Sequence, residues 1–263
     1  MTLLGAQKAQ MVFTSPPYND AIAGNVSGLG KKDKHREFAM ASGEMCTHEF
    51  TEFLETAFMR LADFSTNGSI HFICMDWRHV RELLEAAKKP YSELKNLCVW
   101  SKTNAGMGSL YRSQHELIFV FKKGSAPHVN NVEWGRFGRN RTNVWNYPDR
   151  GTELAMHPTV KPVALVTDAI LDCSKRGGII LDVFAGSGTT LIAAEKAGRR
   201  GYGIEIDCHY TDIIIRRFDE MYGLKAVHAE SKLDFERLTN ERAKERRHGQ
   251  KAKTSKRHRA RGR

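Results

Sequence analysis

The apolar residues of this chain fall into short blocks with two different periods. Met11–Thr14 is a short apolar strand that runs straight into Ser15-Pro16-Pro17-Tyr18. From Thr47 to Leu61 the apolar positions Phe50, Phe53, Leu54, Ala57, Phe58 and Leu61 recur as they would on one face of a helix. Ser69–Met75 reads as a buried strand, and Val80–Lys88 as a helix that ends near Pro90. Leu97–Trp100 and Glu116–Phe121 are two further strands. Beyond them Val163–Cys173 is helical in pattern, Ile179–Phe184 is a strand, and Thr189–Ala197 is a helix. Arg200–Ile206 is again a strand and Tyr210–Tyr222 a helix. Strands alternating with helices of this length predict an α/β fold built on a parallel, doubly wound sheet.

The stretches without periodicity matter as much. Ala23–Arg36 is rich in Gly and Lys and reads as a loop, and residues 122–156 hold much Asn, Arg, Gly and Trp. Leu233–Arg247 reads as a charged helix facing solvent. The expected organisation is one domain over residues 1–230, with loops at about 20–45 and 102–156, followed by a charged helix and basic tail over 231–263.

Composition changes this picture only at the edges. Hydrophobic and charged contents of 41% and 27% are those of a globular chain. No apolar run approaches a membrane span and no signal segment is evident, so a cytoplasmic protein without a membrane partner is expected. Cys46, Cys74, Cys98, Cys173 and Cys208 are scattered and never spaced C-x-x-C, which argues against both a disulfide framework and a metal site. The formal charge of +11 is unevenly placed: residues 241–263 carry eleven Lys or Arg against two Glu. Such a tail would add salt-sensitive, sequence-independent affinity for a polyanion.

The candidate chemistry sits at two strand ends. Asp182-Val-Phe184-Ala-Gly186-Ser-Gly188-Thr-Thr follows one strand and opens a helix, where glycines permit a sharp turn and close approach to a ligand. Nineteen residues beyond Gly186, Glu205 ends the next strand, where an acid can accept from both hydroxyls of a ribose. The dinucleotide fingerprint would need glycine at position 191, which is Leu191. A nucleoside without a pyrophosphate fits better, and S-adenosylmethionine is one.

In Ser15-Pro16-Pro17-Tyr18 the prolines fix the backbone and offer no N–H, so carbonyl groups are free to face a ligand. A rigid carbonyl and the Ser15 hydroxyl could accept both hydrogens of a base amine, whose lone pair is otherwise conjugated into its ring. Tyr18 offers a flat face to a base drawn out of a duplex. No Pro-Cys pair is present to attack a cytosine ring carbon.

Together these segments resemble the β group of DNA amino-methyltransferases, whose catalytic (D/N/S)-P-P-(Y/F) motif precedes the cofactor motif. Three blocks carry the resemblance: Thr14–Asn19, His157-Pro-Thr-Val-Lys-Pro162, and Leu181–Thr190 continuing through Gly201–Asp207. The resemblance implies a Rossmann-like methyltransferase fold, a mostly parallel seven-stranded sheet with helices on both faces, and double-stranded DNA as partner. It implies that Phe184, Gly186, Gly188 and Glu205 line S-adenosylmethionine, and that Thr159 and Lys161 approach its methionine end. Ser at the first motif position is commoner in cytosine-N4 members and Asp in adenine-N6 members, and Asn19 suits either, so both bases stay open. Ten residues precede Met11 where members usually carry a Gly-Asp-containing segment and a helix; a missing cofactor contact, or part of the covering layer, is the expectation. Lys31, Lys32, Arg136, Arg139 and Arg141, with His35 and Trp145 nearby, are the candidate DNA contacts. A homodimer is expected by analogy with similar proteins. The rival readings are a catalytically impaired DNA-binding remnant and a methyltransferase acting on RNA or a protein glutamine.

Overall fold

A computed structural model describes residues 4–21, 38–106, 110–136, 138–148 and 160–244. The chain divides into two compact units, Met1–Thr211 and Asp212–Arg263. The first contains a seven-stranded sheet in the order β5-β3-β4-β2-β1-β6-β7. Its strands are β1 (Ala9–Thr14), β2 (Ser65–Met75), β3 (Glu93–Ser101), β4 (His115–Lys122), β5 (Val144–Asn146), β6 (Ile179–Asp182) and β7 (Arg200–Gly203). The helices are α1 (Thr47–Asp63), α2 (Val80–Ala87), α3 (Val163–Cys173), α4 (Thr189–Lys196) and α5 (Cys208–Tyr222).

Only β4 runs against its neighbours: it is antiparallel to β2 and β3, while the other pairings are parallel. Its register sets Met75 opposite Leu117 and Trp100 opposite Glu116, so the start of β4 lies beside the carboxyl ends of β2 and β3. That reversal places one functional side chain, as shown below.

Alternation along the strands builds both faces of the sheet. Val12, Ile73, Met75, Phe119, Phe121, Ile179 and Leu181 pack with Phe50, Leu54, Phe58 and Leu61 of α1 and Leu83 and Ala86 of α2. Their strand neighbours Met11, Phe13, Ile70, Phe72, Ile118, Val120 and Ile180 are also buried, on the face where α3 meets β1 and α4. Phe13, Phe72 and Trp145 form a run of rings there, with successive centroids 6.0 Å apart. Trp145 is therefore core, on the edge strand β5, with its indole N–H on the Thr142 carbonyl at 3.0 Å. It is not the loop-borne recognition group that a stretch without periodicity suggested; a three-residue strand is too short to show a period.

Two strands end earlier than their apolar runs. Asp182 Oδ1 accepts from the Phe184 amide at 3.0 Å, which turns the chain out of β6 at Asp182. The Ile204 carbonyl accepts from Ala185 N at 3.0 Å, so β7 gives way at Gly203 to a contact with the glycine turn. Among the described residues no helix is long and apolar enough to cross a membrane, and no three His, Cys, Asp or Glu residues are grouped to hold a metal ion.

In the second unit residues 212–222 are helical, and a backbone bridge joins Val227 to Asp234. Residues 235–244 form a second helix whose entry is capped by Asp234, accepting from Arg237 N at 2.9 Å. Arg216 lies 5.9 Å from the centre of the Phe235 ring.

Candidate active site

Neighbouring strands β1 and β6 send the chain in opposite directions along the sheet, β1 towards β2 and β6 towards β7. Ligands in open α/β sheets bind outside the carboxyl ends of strands at such a switch point. A cavity of about 440 Å³ opens there, lined by Ser15–Tyr18 after β1, Asp182–Ser187 after β6 and Ile204–Asp207 after β7. A buried hydrogen bond from Thr14 Oγ1 to Asp182 Oδ1, at 2.7 Å, joins the two strand ends. Burial pushes the Asp182 carboxyl up, against the hydrogen bonds from Thr14, Thr190 and the Phe184 amide.

On the β6 side the backbone is left-handed at Gly186 (φ 51°) and Gly188 (φ 81°), as a side chain would resist. Glu205 holds this turn in place: one oxygen accepts from Gly186 N at 2.7 Å, the other from Asp207 N at 2.9 Å. A carboxylate has about four acceptor sites, so two remain for hydroxyls. Thr189 Oγ1 is buried on the cavity wall and has no hydrogen-bond partner among the described residues. An orphaned hydroxyl, a pinned carboxylate and an apolar wall fit a nucleoside carrying a polar tail. Leu191, where the dinucleotide fingerprint would have glycine, packs on Gly201 and Gly203. A Cβ added at Gly201 would come within 3.0 Å of the Leu191 side chain, and one at Gly203 within 3.1 Å. The close helix–strand approach is thus made by glycines on β7, not on α4; the Gly201-Tyr-Gly203 spacing was its signal.

On the β1 side the structure assembles more than the motif. Ser15 Oγ lies 3.1 Å from Tyr18 Oη and 3.1 Å from Lys161 Nζ. Tyr18 donates to Glu116 Oε1 at 2.5 Å, and Lys161 Nζ stands 2.7 Å from the same oxygen. Lys102 Nζ lies 3.3 Å from the other Glu116 oxygen. Burial pushes the Glu116 carboxyl up, but the Lys161 and Lys102 ammonium groups outweigh it and hold it at about 2. Burial likewise disfavours charge on Lys161, yet the facing Glu116 leaves it raised. Burial and the Glu116 charge together drive the Tyr18 phenol well up, so it stays a neutral donor.

Sequence reasoning missed Glu116 and Lys102 as site members. Glu116 read as the first residue of a strand, and only the reversed direction of β4 brings it to the cavity edge. The signal was a lone acid opening an otherwise apolar run, His115-Glu-Leu-Ile-Phe-Val-Phe121. Lys161, which the resemblance set at the methionine end of the cofactor, has its ammonium among Ser15, Tyr18 and Glu116, because β4 supplies a carboxylate there. Pro16 and Pro17 line the cavity. Thr159, Lys31, Lys32 and His35 lie outside the described residues.

The three arginines among the candidate DNA contacts divide. Arg136 is largely exposed and pairs with Glu133 at 3.2 Å. Arg139 and Arg141 instead engage Asp168 and Asp172, four residues apart on α3, at 2.7–3.2 Å. Tyr147 joins them through Asp168 Oδ2 at 2.5 Å. Arg139 and Arg141, expected to face DNA, are held on α3 by two i, i+4 carboxylates.

The family model for DNA methylases (N6_N4_Mtase) matches residues 9–216. The chain is 40% identical over 249 residues to Type II methyltransferase M.ScaI of Streptomyces caespitosus, covering 80% of this chain and 74% of that one. It is 28% identical to DNA adenine methyltransferase YhdJ of Escherichia coli (strain K12), covering 81% and 77%. Among solved structures, the M1.HpyAVI-SAM complex aligns with a TM-score of 0.61 at 21% identity, covering 82% and 91%. The cytosine-N4-specific PvuII DNA methyltransferase aligns with a TM-score of 0.61 at 16% identity, covering 82% of each chain. At these identities the two structures speak for the fold.

Proposed function

The chain belongs to the DNA methylase family, and on that premise we propose how it moves a methyl group from S-adenosylmethionine to the exocyclic amine of cytosine (N4) or adenine (N6) in DNA. The observation that carries the reading is that one cavity holds both halves of the reaction. The glycine turn with Glu205 lies on one wall, and Ser15-Pro16-Pro17-Tyr18 on the other. S-adenosylmethionine supplies an electrophilic methyl group on sulfonium when bound.

Phe184, Gly186, Gly188 and Glu205 hold the nucleoside part, with the Thr189 hydroxyl as a further partner that the motif alone did not suggest. Asp182 braces the turn from behind through Thr14 and the Phe184 amide. Ser15 Oγ and the Pro16 carbonyl accept the two amine hydrogens and turn the nitrogen lone pair out of conjugation. Tyr18 presents its ring to the flipped base, stacking that is worth about 1–3 kcal/mol. Holding the nucleophile in line with the methyl group is the main source of rate, since no covalent enzyme intermediate is needed.

DNA is the partner. Arg136 and the lysines at 31 and 32 are proposed phosphate contacts, while Arg139 and Arg141 brace the fold. The bacterial origin of these relatives supports a bacterial cytoplasm as the setting of the reaction. Relatives and fold neighbours bear both adenine and cytosine names, so the base is settled by nucleoside mass spectrometry on DNA from cells expressing the protein. N4-methylcytosine or N6-methyladenine is expected to appear; DNA with neither, from a protein that also fails to bind S-adenosylmethionine in a titration, would overturn the reading.

A further inference from the structure

Alkylating an exocyclic amine leaves a proton to remove. The new N–CH₃ bond uses the nitrogen lone pair and the S–CH₃ electron pair returns to sulfur, so one N–H proton must leave for the product to become neutral. The site described above contains a continuous path for it. Ser15 Oγ, proposed to touch the amine, is 3.1 Å from Tyr18 Oη, and Tyr18 Oη is 2.5 Å from Glu116 Oε1.

We infer that Ser15 and Tyr18 relay the amine proton to Glu116, with Lys161 and Lys102 keeping that carboxylate ionised and in place. This rests on the methyltransferase reading above. The donors already point the right way. Lys161 Nζ donates to Ser15 Oγ at 3.1 Å, which leaves the Ser15 hydrogen free to be given to Tyr18 Oη while a remaining Ser15 lone pair accepts from the amine. In the transfer the amine proton moves to Ser15 Oγ, the Ser15 proton to Tyr18 Oη, and the Tyr18 proton to Glu116. The hydroxyls end neutral, and Glu116 then releases its proton to solvent.

The electrostatics match the task. A freshly alkylated aminopyrimidine or aminopurine nitrogen is a strong acid, so a weakly basic acceptor suffices. The two lysines make Glu116 a weak base that gives the proton up again and is ready at any physiological pH. Glu116 acts through Ser15 and Tyr18 and is a positioning and relay residue, not one that meets substrate.

The test uses single-turnover methyl transfer from labelled S-adenosylmethionine to unmethylated, polymerase-made bacterial genomic DNA. Phenylalanine, which the motif also admits, keeps the ring of Tyr18 and deletes only its hydroxyl. Tyr18→Phe should keep the melting temperature and cofactor affinity, slow transfer by roughly 100-fold, a typical general acid–base contribution, and abolish the solvent isotope effect. Glu116→Gln should lose rate to a similar degree. Lys161→Met, which strips the nearest cation from Glu116, should bring an acid limb into the pH–rate profile above pH 4, where the parent protein shows none. Independently of turnover, the infrared difference between parent and Glu116→Gln protein, without cofactor or DNA, should show an ionised carboxylate at pH 5. A Tyr18→Phe protein transferring methyl groups at the parent rate, a protonated Glu116 at pH 5, or an unshifted profile in Lys161→Met would each overturn the relay. A parent protein that transfers no methyl group at all would instead overturn the reading on which it rests.

Discussion

His71 shows how much one side chain can be constrained by its place. It is fully buried in β2, with Ser69 Oγ 3.1 Å from one ring nitrogen and Tyr91 Oη 3.0 Å from the other. Burial is the main reason its pKa falls to about 3, with Lys123 adding to the effect. The folded state therefore binds no proton here where the unfolded chain does, so stability is fully present above about pH 6.5 and is lost as pH falls towards 3. The parent protein should lose roughly 2 kcal/mol more than a His71→Phe variant between pH 6.5 and 5 in urea titrations. Gly201 is constrained by space: an added Cβ would stand 3.1 Å from Leu191 Cα, which cannot swing away. Gly201→Val should cost about 1–3 kcal/mol in the same assay and weaken cofactor binding by shifting β7 and Glu205. The first constraint is not visible in the sequence, where His71 is a single letter inside an apolar run.

At the scale of elements, boundaries and orientation carry the consequences. Helices α1 and α3 coincide with their periodic patterns, because an amphipathic face is a local property. Strands β6 and β7 stop short of their apolar runs because side chains and carbonyls at their ends bond to the glycine turn. The short strand β5 is not legible in the sequence, where residues 122–156 read as loop, and it lies within the segment 139–147. In the structure that segment is fastened to α3 by Arg139, Arg141 and Tyr147 on Asp168 and Asp172. These ion pairs are half-buried, between the exposed pairs that contribute little and the buried ones whose rupture costs several kcal/mol. Asp172→Asn should destabilise by roughly 1–3 kcal/mol and speed proteolysis within 122–148 while leaving the affinity for S-adenosylmethionine unchanged. A loss of DNA binding with no loss of stability would return these arginines to the DNA.

At the scale of the whole molecule, charge and topology divide the work. Most of the formal charge lies in residues 241–263. Phosphate neutralisation releases counterions, so log K falls with log salt in proportion to the cations engaged. Removing residues 245–263 should reduce the steepness of that fall by at least about 1 in a fluorescence titration with duplex DNA, with single-turnover rate at saturating DNA unchanged. An unaltered slope would mean that the tail does not engage phosphate.

The feature that made the chain legible is that both chemical motifs are contiguous and follow strands. Pro-Pro stiffness, glycine turns and apolar alternation act between near neighbours, so the order of every strand but β5, the fold class and the two walls of the cavity can be read along the chain. Tertiary structure decided what fills the space between those walls. Ser15, Lys102, Glu116 and Lys161 are far apart in the chain, and they meet because β4 alone runs backwards and delivers its first residues to the edge where the other strands end. Long-range pairing also sets Arg139 and Arg141 on the carboxylates of α3. Charges find partners through topology, and a sequence read along its length has no means of showing which distant strand is reversed.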